Sequence, residues 1–209
     1  MGRFKYIRFF EELVSKDVPV VGGKNASLGE MIGNLKPEGI RVPGGFATTA
    51  EAYWEYINAN GLREEMEGEL SGYREGKSTL EITGGKIRRL FLEGEFPEEI
   101  AGEIKTAYKE LSRRYNVQEA DVAVRSSATA EDLPEASFAG QQETFLNVTG
   151  EKDLIESCKK CYASLFTNRA ISYRDAHGFD HIRVALSIGV QKMVRSDKAG
   201  AGAHLTRPL

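Results

Sequence analysis

Apolar residues recur at helical spacing in several stretches of the chain, and the longest such pattern follows Pro97. Charged residues suit the helix dipole there, with glutamates in the first turn and arginines in the last. The pattern therefore predicts a helix that begins just after Pro97. Its apolar face would be formed by Ile100, Ile104, Ala107, Tyr108, Leu111 and Tyr115.

Two shorter helices are predicted nearer the N-terminus. Asn25 is a candidate N-cap for a helix that extends to Leu35, with apolar residues along one side. Thr48 or Thr49 would cap the second helix, and Gly61 would end it.

Three more helical regions are expected. Residues 62–96 are charged and contain glycine, so we expect short helices there on the outside of the molecule. Helices over about 151–166 and 168–177 follow later in the chain, and Asn168 is the candidate cap of the second one.

Strands are predicted where the apolar runs are short. Residues 4–21 would form short strands around a polar turn at Ser15-Lys16-Asp17. Val122–Val124 and Thr144–Val148 would be strands on either side of a long loop, and Val184–Val194 would be the last strand. Helices and strands mix without a strict β-α-β rhythm, which favours an α+β fold over a doubly wound sheet.

Composition limits the class of function. The chain has 209 residues, of which 41% are hydrophobic and 28% charged, and its net charge is −3. These values are ordinary for a globular domain and give no reason to expect a nucleic acid or a membrane as a partner. No run approaches the roughly 18 apolar residues of a membrane span, and the first residues are too charged for a signal peptide. We therefore expect a cytoplasmic protein.

The two cysteines, Cys158 and Cys161, favour packing over chemistry. They share a helical apolar stripe with Leu154, Tyr162 and Leu165. A redox pair gains its low thiol pKa at a helix N-terminus, whereas this pair lies about two turns inside the helix. No metal site is expected either, because neither these cysteines nor the histidines have further ligands at suitable spacing.

A first candidate for ligand binding is V-G-G-K-N-A-S-L-G-E, from Val21 to Glu30. Paired glycines allow a close approach of the backbone, and Lys24 precedes the predicted helix, where free N–H groups favour an anion. The segment lacks the Walker A consensus. A plain turn with a solvated lysine explains the same residues, so the motif alone leaves both interpretations open.

The second candidate is Arg125 at the end of a predicted strand. A guanidinium can bind two phosphate oxygens at once, and Ser126, Ser127 and Thr129 would add hydroxyl donors. The following loop, up to Gly140, is rich in small residues and could fold over a polyphosphate before Thr144 begins the returning strand. The alternative is a surface loop with a structural arginine.

The third candidate is Gln191. Alternation along its strand places it on one face with Ala185, Ser187 and Gly189, which leaves room for a flat ligand. An amide offers a donor and an acceptor to the edge of a base. A half-exposed edge-strand glutamine is the alternative.

Taken together and in order, these motifs resemble the N-terminal nucleotide-binding region of the phosphoenolpyruvate synthase (pyruvate, water dikinase) family. The similarity extends from about residue 5 to residue 200. It rests on V-G-G-K-N-A-S-L-G-E-M, V-P-G-G-F-A-T-T, the stretch from Val122 to Val148, A-S-L-F-T-N-R-A-I-S-Y-R and G-V-Q-K-M-V-R-S-D.

The resemblance implies an ATP-grasp-like fold that binds ATP with Mg²⁺. By position, Lys24 and Arg125 would hold the phosphates, Gly140 and Thr144 would belong to the loop that covers them, and Gln191 would meet the adenine side. It also implies a reaction in which a histidine on a separate domain is phosphorylated. That histidine then phosphorylates pyruvate on a third domain, which yields phosphoenolpyruvate, AMP and phosphate.

The sequence also departs from the family. The family's nucleotide-binding unit continues beyond residue 209, and its second half supplies the residues that bind metal. The T-x-G-G-x-x-x-H-x-A segment with the phosphorylated histidine is absent, and His204 does not match it. We therefore expect no catalytic residue and no metal ligand in this chain, and a second polypeptide could carry the rest of the enzyme.

Residues 1–209 are thus predicted to be a partial ATP-binding domain. Its nucleotide-binding core would comprise about 1–60 and 117–200, with a mainly helical insertion at about 61–116. Two alternatives stay open, because the acceptor chemistry lies outside this chain. One is the ATP-binding part of a rifampin-type antibiotic phosphotransferase, and the other is a non-catalytic fragment that binds a nucleotide or a partner.

Overall fold

A computed structural model of the chain describes residues 4–129 and 143–194. Helices and one antiparallel sheet share these residues, and the α+β class expected from the sequence is confirmed. The described elements are β1 (Ile7–Phe9), α1 (Val18–Leu35), β2 (Gly45–Thr48), α2 (Ala50–Ala59), α3 (Leu62–Arg74), α4 (Leu80–Glu93), α5 (Glu98–Arg114), β3 (Val122–Ala128), β4 (Thr144–Val148), α6 (Glu151–Ser164), α7 (Asn168–Ala176) and β5 (Leu186–Lys192).

The strands pair in the order β1-β2-β5-β3-β4, and every pairing is antiparallel. β5, the last strand among the described residues, lies at the centre of the sheet. Its pairing with β3 runs from Lys192 opposite Val122 to Leu186 opposite Ala128. β5 therefore lies between β2 and β3, and it joins these two strands, which come earlier in the chain, into one sheet.

The two faces of the sheet differ because side chains alternate along each strand. Phe46, Val124 and Val190 point to one face, and helices α2 to α6 contribute to the large hydrophobic core that covers them. α1 packs on the opposite face in a smaller cluster that includes Leu28 and Ala47. The face that carries α1 is called the open face below, because part of it remains accessible at β4.

The N-terminal region differs from the prediction. Within residues 4–21 only Ile7–Phe9 is a strand, and 3-10 turns form at Phe10–Glu12 and Ser15–Asp17. α1 begins at Val18, earlier than predicted, because Pro19 suits a first helical turn. The alternation of apolar residues here was too short to distinguish a strand from a helix start.

The helix caps are partly as predicted. Thr49 caps α2 by accepting a hydrogen bond from Ala52 N, as expected. Asn168 is not the cap of α7, because the side chain of Thr167 accepts from Ala170 N and occupies that role. Asn25 is not a cap either, since it lies inside α1.

The helices predicted for residues 62–96 are present as α3 and α4, but they are not confined to the outside. Met66, Ile87 and Phe91 are fully buried in the main core. Full burial of such a side chain stabilises the fold by roughly 1.5–3 kcal/mol. These helices are therefore amphipathic, and the many charged residues that suggested an outer position lie on their exposed sides.

Cys158 and Cys161 are free thiols, fully buried in the main core, and burial raises the pKa of both. The prediction that they pack in the apolar core is confirmed. None of the helices in the described part of the chain is long and apolar enough to cross a membrane.

Candidate functional site

The register of the sheet places three of the predicted site residues on the open face. Arg125 on β3 lies opposite Thr144 on β4 and opposite Gly189 on β5. Residues directly opposite each other in antiparallel strands point to the same side. Gln191 follows Gly189 by two positions along β5, so it shares that side.

Gln191 marks one end of this row of residues. It lies opposite Ala123 on β3 and Gly45 on β2, and neither has a side chain large enough to cover the face. The Gln191 Nε2 donates a hydrogen bond to Pro43 O at 3.1 Å. One of the two N–H donors of the amide is therefore engaged, and its second N–H and its oxygen remain to recognise a ligand.

Lys24 lies at the other end of the row. Its backbone N donates to Ser127 Oγ at 3.1 Å, and its Nζ donates to Ser126 O at 3.3 Å. Both partners follow Arg125 directly on β3. From the level of Ser127 to that of Ala123 the strand rises by roughly 13 Å, which is comparable to the length of an extended nucleoside triphosphate.

Gly22 explains how α1 reaches the sheet so closely. Its φ of 76° interrupts the helical backbone, which favours glycine. A Cβ at this position would collide with Ser127 Oγ and lie 2.6 Å from Ala128 O. The sequence analysis expected the paired glycines to approach a ligand, but Gly22 approaches β3 instead. A Cβ at Gly23 would meet nothing within 4 Å.

Burial and like charge both act on the two cations of the open face. Burial lowers the pKa of the Arg125 guanidinium. Lys24 keeps an exposed surface, but its partial burial against β3 lowers the pKa of its ammonium, and the positive charge of Arg125 lowers it further. A site that holds two positive charges close together favours an anion, which would offset the repulsion.

The hydroxyl groups that follow Arg125 do not all contribute as predicted. Ser126 lies opposite Ile188 and is fully buried toward the core face, so its Oγ cannot reach a ligand on the open face. Thr129 donates to Ala185 O at 3.1 Å. Ser127 does face the ligand side, but its oxygen accepts from Lys24 N.

Gly140, predicted to belong to the covering loop, lies outside the described residues, as does His204. The sequence analysis did not predict that Ser127 would accept a hydrogen bond from the backbone of Lys24, or that Asn25 would be buried against the sheet. An asparagine directly after the lysine of a glycine-rich segment is the sequence feature that could have drawn attention to this position.

A cavity of about 620 Å³ opens beyond the Gln191 end of the face. Ile40, Pro43, Tyr115, Lys192 and Val194 are among the residues that line it. Pro43 connects the cavity to the site, because its carbonyl accepts the Gln191 hydrogen bond. The cavity therefore extends the row from Lys24 to Gln191 with a largely apolar space.

No group of three or more His, Cys, Asp or Glu side chains that could hold a metal ion is found in residues 4–129 and 143–194. The open face is cationic where Lys24 and Arg125 lie, and such a surface does not bind a divalent cation by itself.

The family model of the pyruvate phosphate dikinase AMP/ATP-binding domain matches residues 18–207. The chain belongs to this family. The matched region includes Lys24, Arg125, Thr144 and Gln191, so every described residue of the row on the open face lies within the pyruvate phosphate dikinase AMP/ATP-binding domain.

Curated relatives agree with this membership. The phosphoenolpyruvate synthase of Helicobacter pylori is 55% identical over 199 residues, which are 95% of this chain and 24% of that protein. The phosphoenolpyruvate synthase of Aquifex aeolicus is 48% identical over 201 residues, 96% of this chain and 24% of that protein. That of Pyrococcus furiosus is 45% identical over 230 residues, 94% of this chain and 28% of that protein. The chain thus spans about a quarter of the length of these relatives.

Proposed function

We propose that this chain binds ATP along the open face, with the phosphates at Lys24 and Arg125 and the adenine toward Gln191. The observation that carries the proposal is the placement of Lys24, Arg125, Thr144 and Gln191 in one row on one side of the sheet. The row has Lys24 and Arg125 at one end, and at the other it has small residues and a cavity lined by apolar residues together with basic ones such as Arg41. A nucleoside triphosphate is charged at one end and flat at the other, so its phosphates suit the first end and its base suits the space at the second.

Each residue has a distinct task in this proposal. Arg125 presents a planar fork to two phosphate oxygens, and Lys24 adds a point charge beside it. Thr144, opposite Arg125, offers a hydroxyl at the edge of the same site. Gly140 would belong to a segment that covers the phosphates. Phosphoryl transfer depends mostly on positioning and charge neutralisation, and these residues supply both.

The proposal extends to the longer protein. There the ATP held by this domain would phosphorylate a histidine on another domain, and that histidine would phosphorylate pyruvate. The products would be phosphoenolpyruvate, AMP and phosphate, in agreement with the names of the relatives. Mg²⁺, which neutralises phosphate charge when bound, would take its protein ligands from outside the described residues. The location would be cytoplasmic.

Calorimetry with ATP and Mg²⁺ tests the binding step on the purified chain. We expect binding in the micromolar range, and at least a roughly tenfold loss in Arg125→Ala, because a charge-assisted hydrogen bond contributes about 1.5–3 kcal/mol. Arg113→Ala is the matched control, since Arg113 is exposed in the last turn of α5. Equal affinities of the wild type and Arg125→Ala would remove Arg125 from the site.

A turnover assay tests the division of labour. With ATP and pyruvate, the isolated chain is expected to form neither AMP nor phosphoenolpyruvate, because the phosphorylated histidine and the pyruvate site lie on other domains. Formation of both products by the pure chain would overturn this part of the proposal.

A further inference from the structure

Asn25 is a buried polar residue to which the ATP proposal gives no task. It follows Lys24 directly on α1, and its side chain is fully buried between the helix and the sheet. Its Nδ2 donates to Val21 O at 3.0 Å and to Ser187 Oγ at 2.9 Å. One amide group thus connects the two sides of the Gly22 kink and attaches them to β5.

Ser187 continues this connection into the sheet. Its Oγ accepts from Asn25 and donates to Thr48 O at 2.6 Å. The chain of hydrogen bonds therefore runs from α1 through β5 to β2. Because all of these groups are buried, each bond is costly to lose. The start of the helix is fixed to the centre of the sheet by polar contacts and not by apolar packing alone.

Gly189 supplies the space that the carboxamide of Asn25 occupies. A Cβ at Gly189 would collide with Asn25 Oδ1 and lie 3.2 Å from Asn25 Cγ. Gly189 is also the residue opposite Arg125 in the sheet register. Asn25 therefore contacts the sheet at the level of Arg125, while its neighbour Lys24 is bonded to the residues that follow Arg125.

Two complementary atoms remain unpaired at this level. Asn25 Oδ1, an acceptor, and Arg125 Nε, a donor, are both buried and have no hydrogen-bond partner among the residues that the structure describes. Gly189 lies beneath the first and opposite the second. The two atoms are an acceptor and a donor, so a hydrogen bond between them would leave the terminal nitrogens of Arg125 for a ligand.

We propose that Asn25 is a positioning residue whose carboxamide sets the place of Lys24 relative to Arg125 on the open face. Its Nδ2 holds the first turn after the Gly22 kink against β5, and its Oδ1 orients Arg125 through Nε. The inference rests on the proposed ATP binding, to which it adds a residue that does not touch the nucleotide.

Two single variants and their combination test the proposal. Asn25→Ala removes the amide, and Gly189→Ala displaces it, so each is expected to weaken ATP binding by roughly ten- to a hundredfold. In the double variant the new methyl group occupies the space that the truncated Asn25 leaves. We expect the double variant to regain the part of the Tm that Gly189→Ala loses through the collision, but to remain below the wild-type Tm and not to regain ATP affinity, because the packing returns and the hydrogen bonds do not.

A packing role makes the opposite prediction for the double variant. If its ATP affinity recovers together with its Tm, Asn25 is only a spacer and the proposal is overturned. Unchanged affinity in Asn25→Ala overturns it equally. Gly33→Ala is the matched control on the same helix, because a Cβ there meets nothing within 4 Å. It is expected to leave ATP affinity unchanged.

The pKa of Lys24, followed by NMR of its Cε and Hε resonances, is a readout that needs no nucleotide. In the wild type this pKa is expected below its ordinary value, because of burial against β3 and the nearby Arg125. In Asn25→Ala it should return toward that value as the ammonium moves away, and an unchanged pKa contradicts the proposal. A wild-type chain that binds no ATP but shows this response would refute the proposed function and leave the positioning role intact.

Discussion

Burial lowers the pKa of the guanidinium groups of both Arg125 and Arg174. For Arg174 the pKa falls to about 10. Their surroundings nevertheless differ. Arg174 is fully buried, donates from Nε to His181 Nδ1 at 3.0 Å and from Nη2 to Leu165 O at 2.7 Å, and stacks over the ring of Phe166. Arg125 is only partly buried and lies on the open face of the sheet, with its Nε unpaired among the described residues.

The difference distinguishes a structural arginine from one that is available to a ligand. Two nitrogens of Arg174 are bonded to protein groups, and its remaining nitrogen, Nη1, is enclosed without a partner in the described part of the chain. A buried donor without an acceptor raises the free energy of the folded state. For Arg125, whose face is open, an anionic ligand can remove that cost, whereas Arg174 has no such access.

Loss of each guanidinium should therefore affect stability very differently, which is the largest effect that we expect. Arg174→Met would leave Leu165 O and His181 Nδ1 without their donors and destabilise the fold by about 3 kcal/mol. Arg125→Met removes a repulsive charge near Lys24 and should change the free energy of unfolding by less than about 0.5 kcal/mol. Urea denaturation of both variants measures the difference.

Similar destabilisation by Arg174→Met and Arg125→Met would contradict this distinction, because it would mean that the fold depends equally on both guanidinium groups.

A smaller effect is expected for Arg125→Lys. The substitution keeps the positive charge but loses the planar fork that binds two phosphate oxygens, so ATP affinity should fall roughly tenfold, or about 1.4 kcal/mol. Arg113→Lys, at an exposed position of α5, is the matched control and should bind as the wild type does. A titration by calorimetry with both variants measures this, and full affinity in Arg125→Lys would show that charge alone suffices.

The smallest effect concerns the pH dependence of the Arg174 region. Burial lowers the pKa of His181, the hydrogen bond to Asp175 raises it in part, and the charge of Arg174 lowers it again. The unfolded chain, with a histidine pKa near ~6.5, therefore binds a proton more readily than the folded chain. The stability contributed by neutral His181 is fully present above about pH 6.5 and is lost as the pH falls below it.

Urea midpoints at about pH 7.5 and about pH 5.5 measure this dependence on either side of the ordinary histidine pKa. His181→Asn should show a smaller difference between the two midpoints than the wild type, by less than about 1 kcal/mol in the free energy of unfolding. His177→Asn, at an exposed position, is the control for the effect of replacing a histidine in this region. Equal pH dependence in His181→Asn would show that His181 does not titrate in this window.

Sequence patterns predicted the long elements well and the short ones poorly. The helix after Pro97 is present as α5, with every predicted apolar residue up to Leu111 buried. Of the strands predicted within residues 4–21 only Ile7–Phe9 is present, and the caps predicted at Asn25 and Asn168 were wrong. A run of a few residues fits more than one local structure, and contacts distant in sequence decide between them. Asn25, for example, bonds to Ser187, which lies on β5 and is far from it in sequence.

In the candidate site, too, some features were predictable from the sequence and others depended on contacts between distant residues. The residue types of Lys24, Arg125, Thr144 and Gln191, and their order along the chain, were sufficient to propose phosphate and base recognition. Which of the neighbouring hydroxyl groups could serve was not predictable, because a shift of one position along a strand turns a side chain to the other face. Ser126 points into the core for this reason, while Ser127 bonds to Lys24.

By itself, the sequence determined the α+β class, the long amphipathic helices and the kind of chemistry that its motifs favour, because these depend on local spacing and residue type. The tertiary structure alone decided that β5 lies at the centre of the sheet, that Arg125 faces Thr144 and Gly189, and that Arg174 is enclosed. Strand order and register join segments far apart in the chain. The free energy that selects them comes from packing and hydrogen bonds that no local pattern contains.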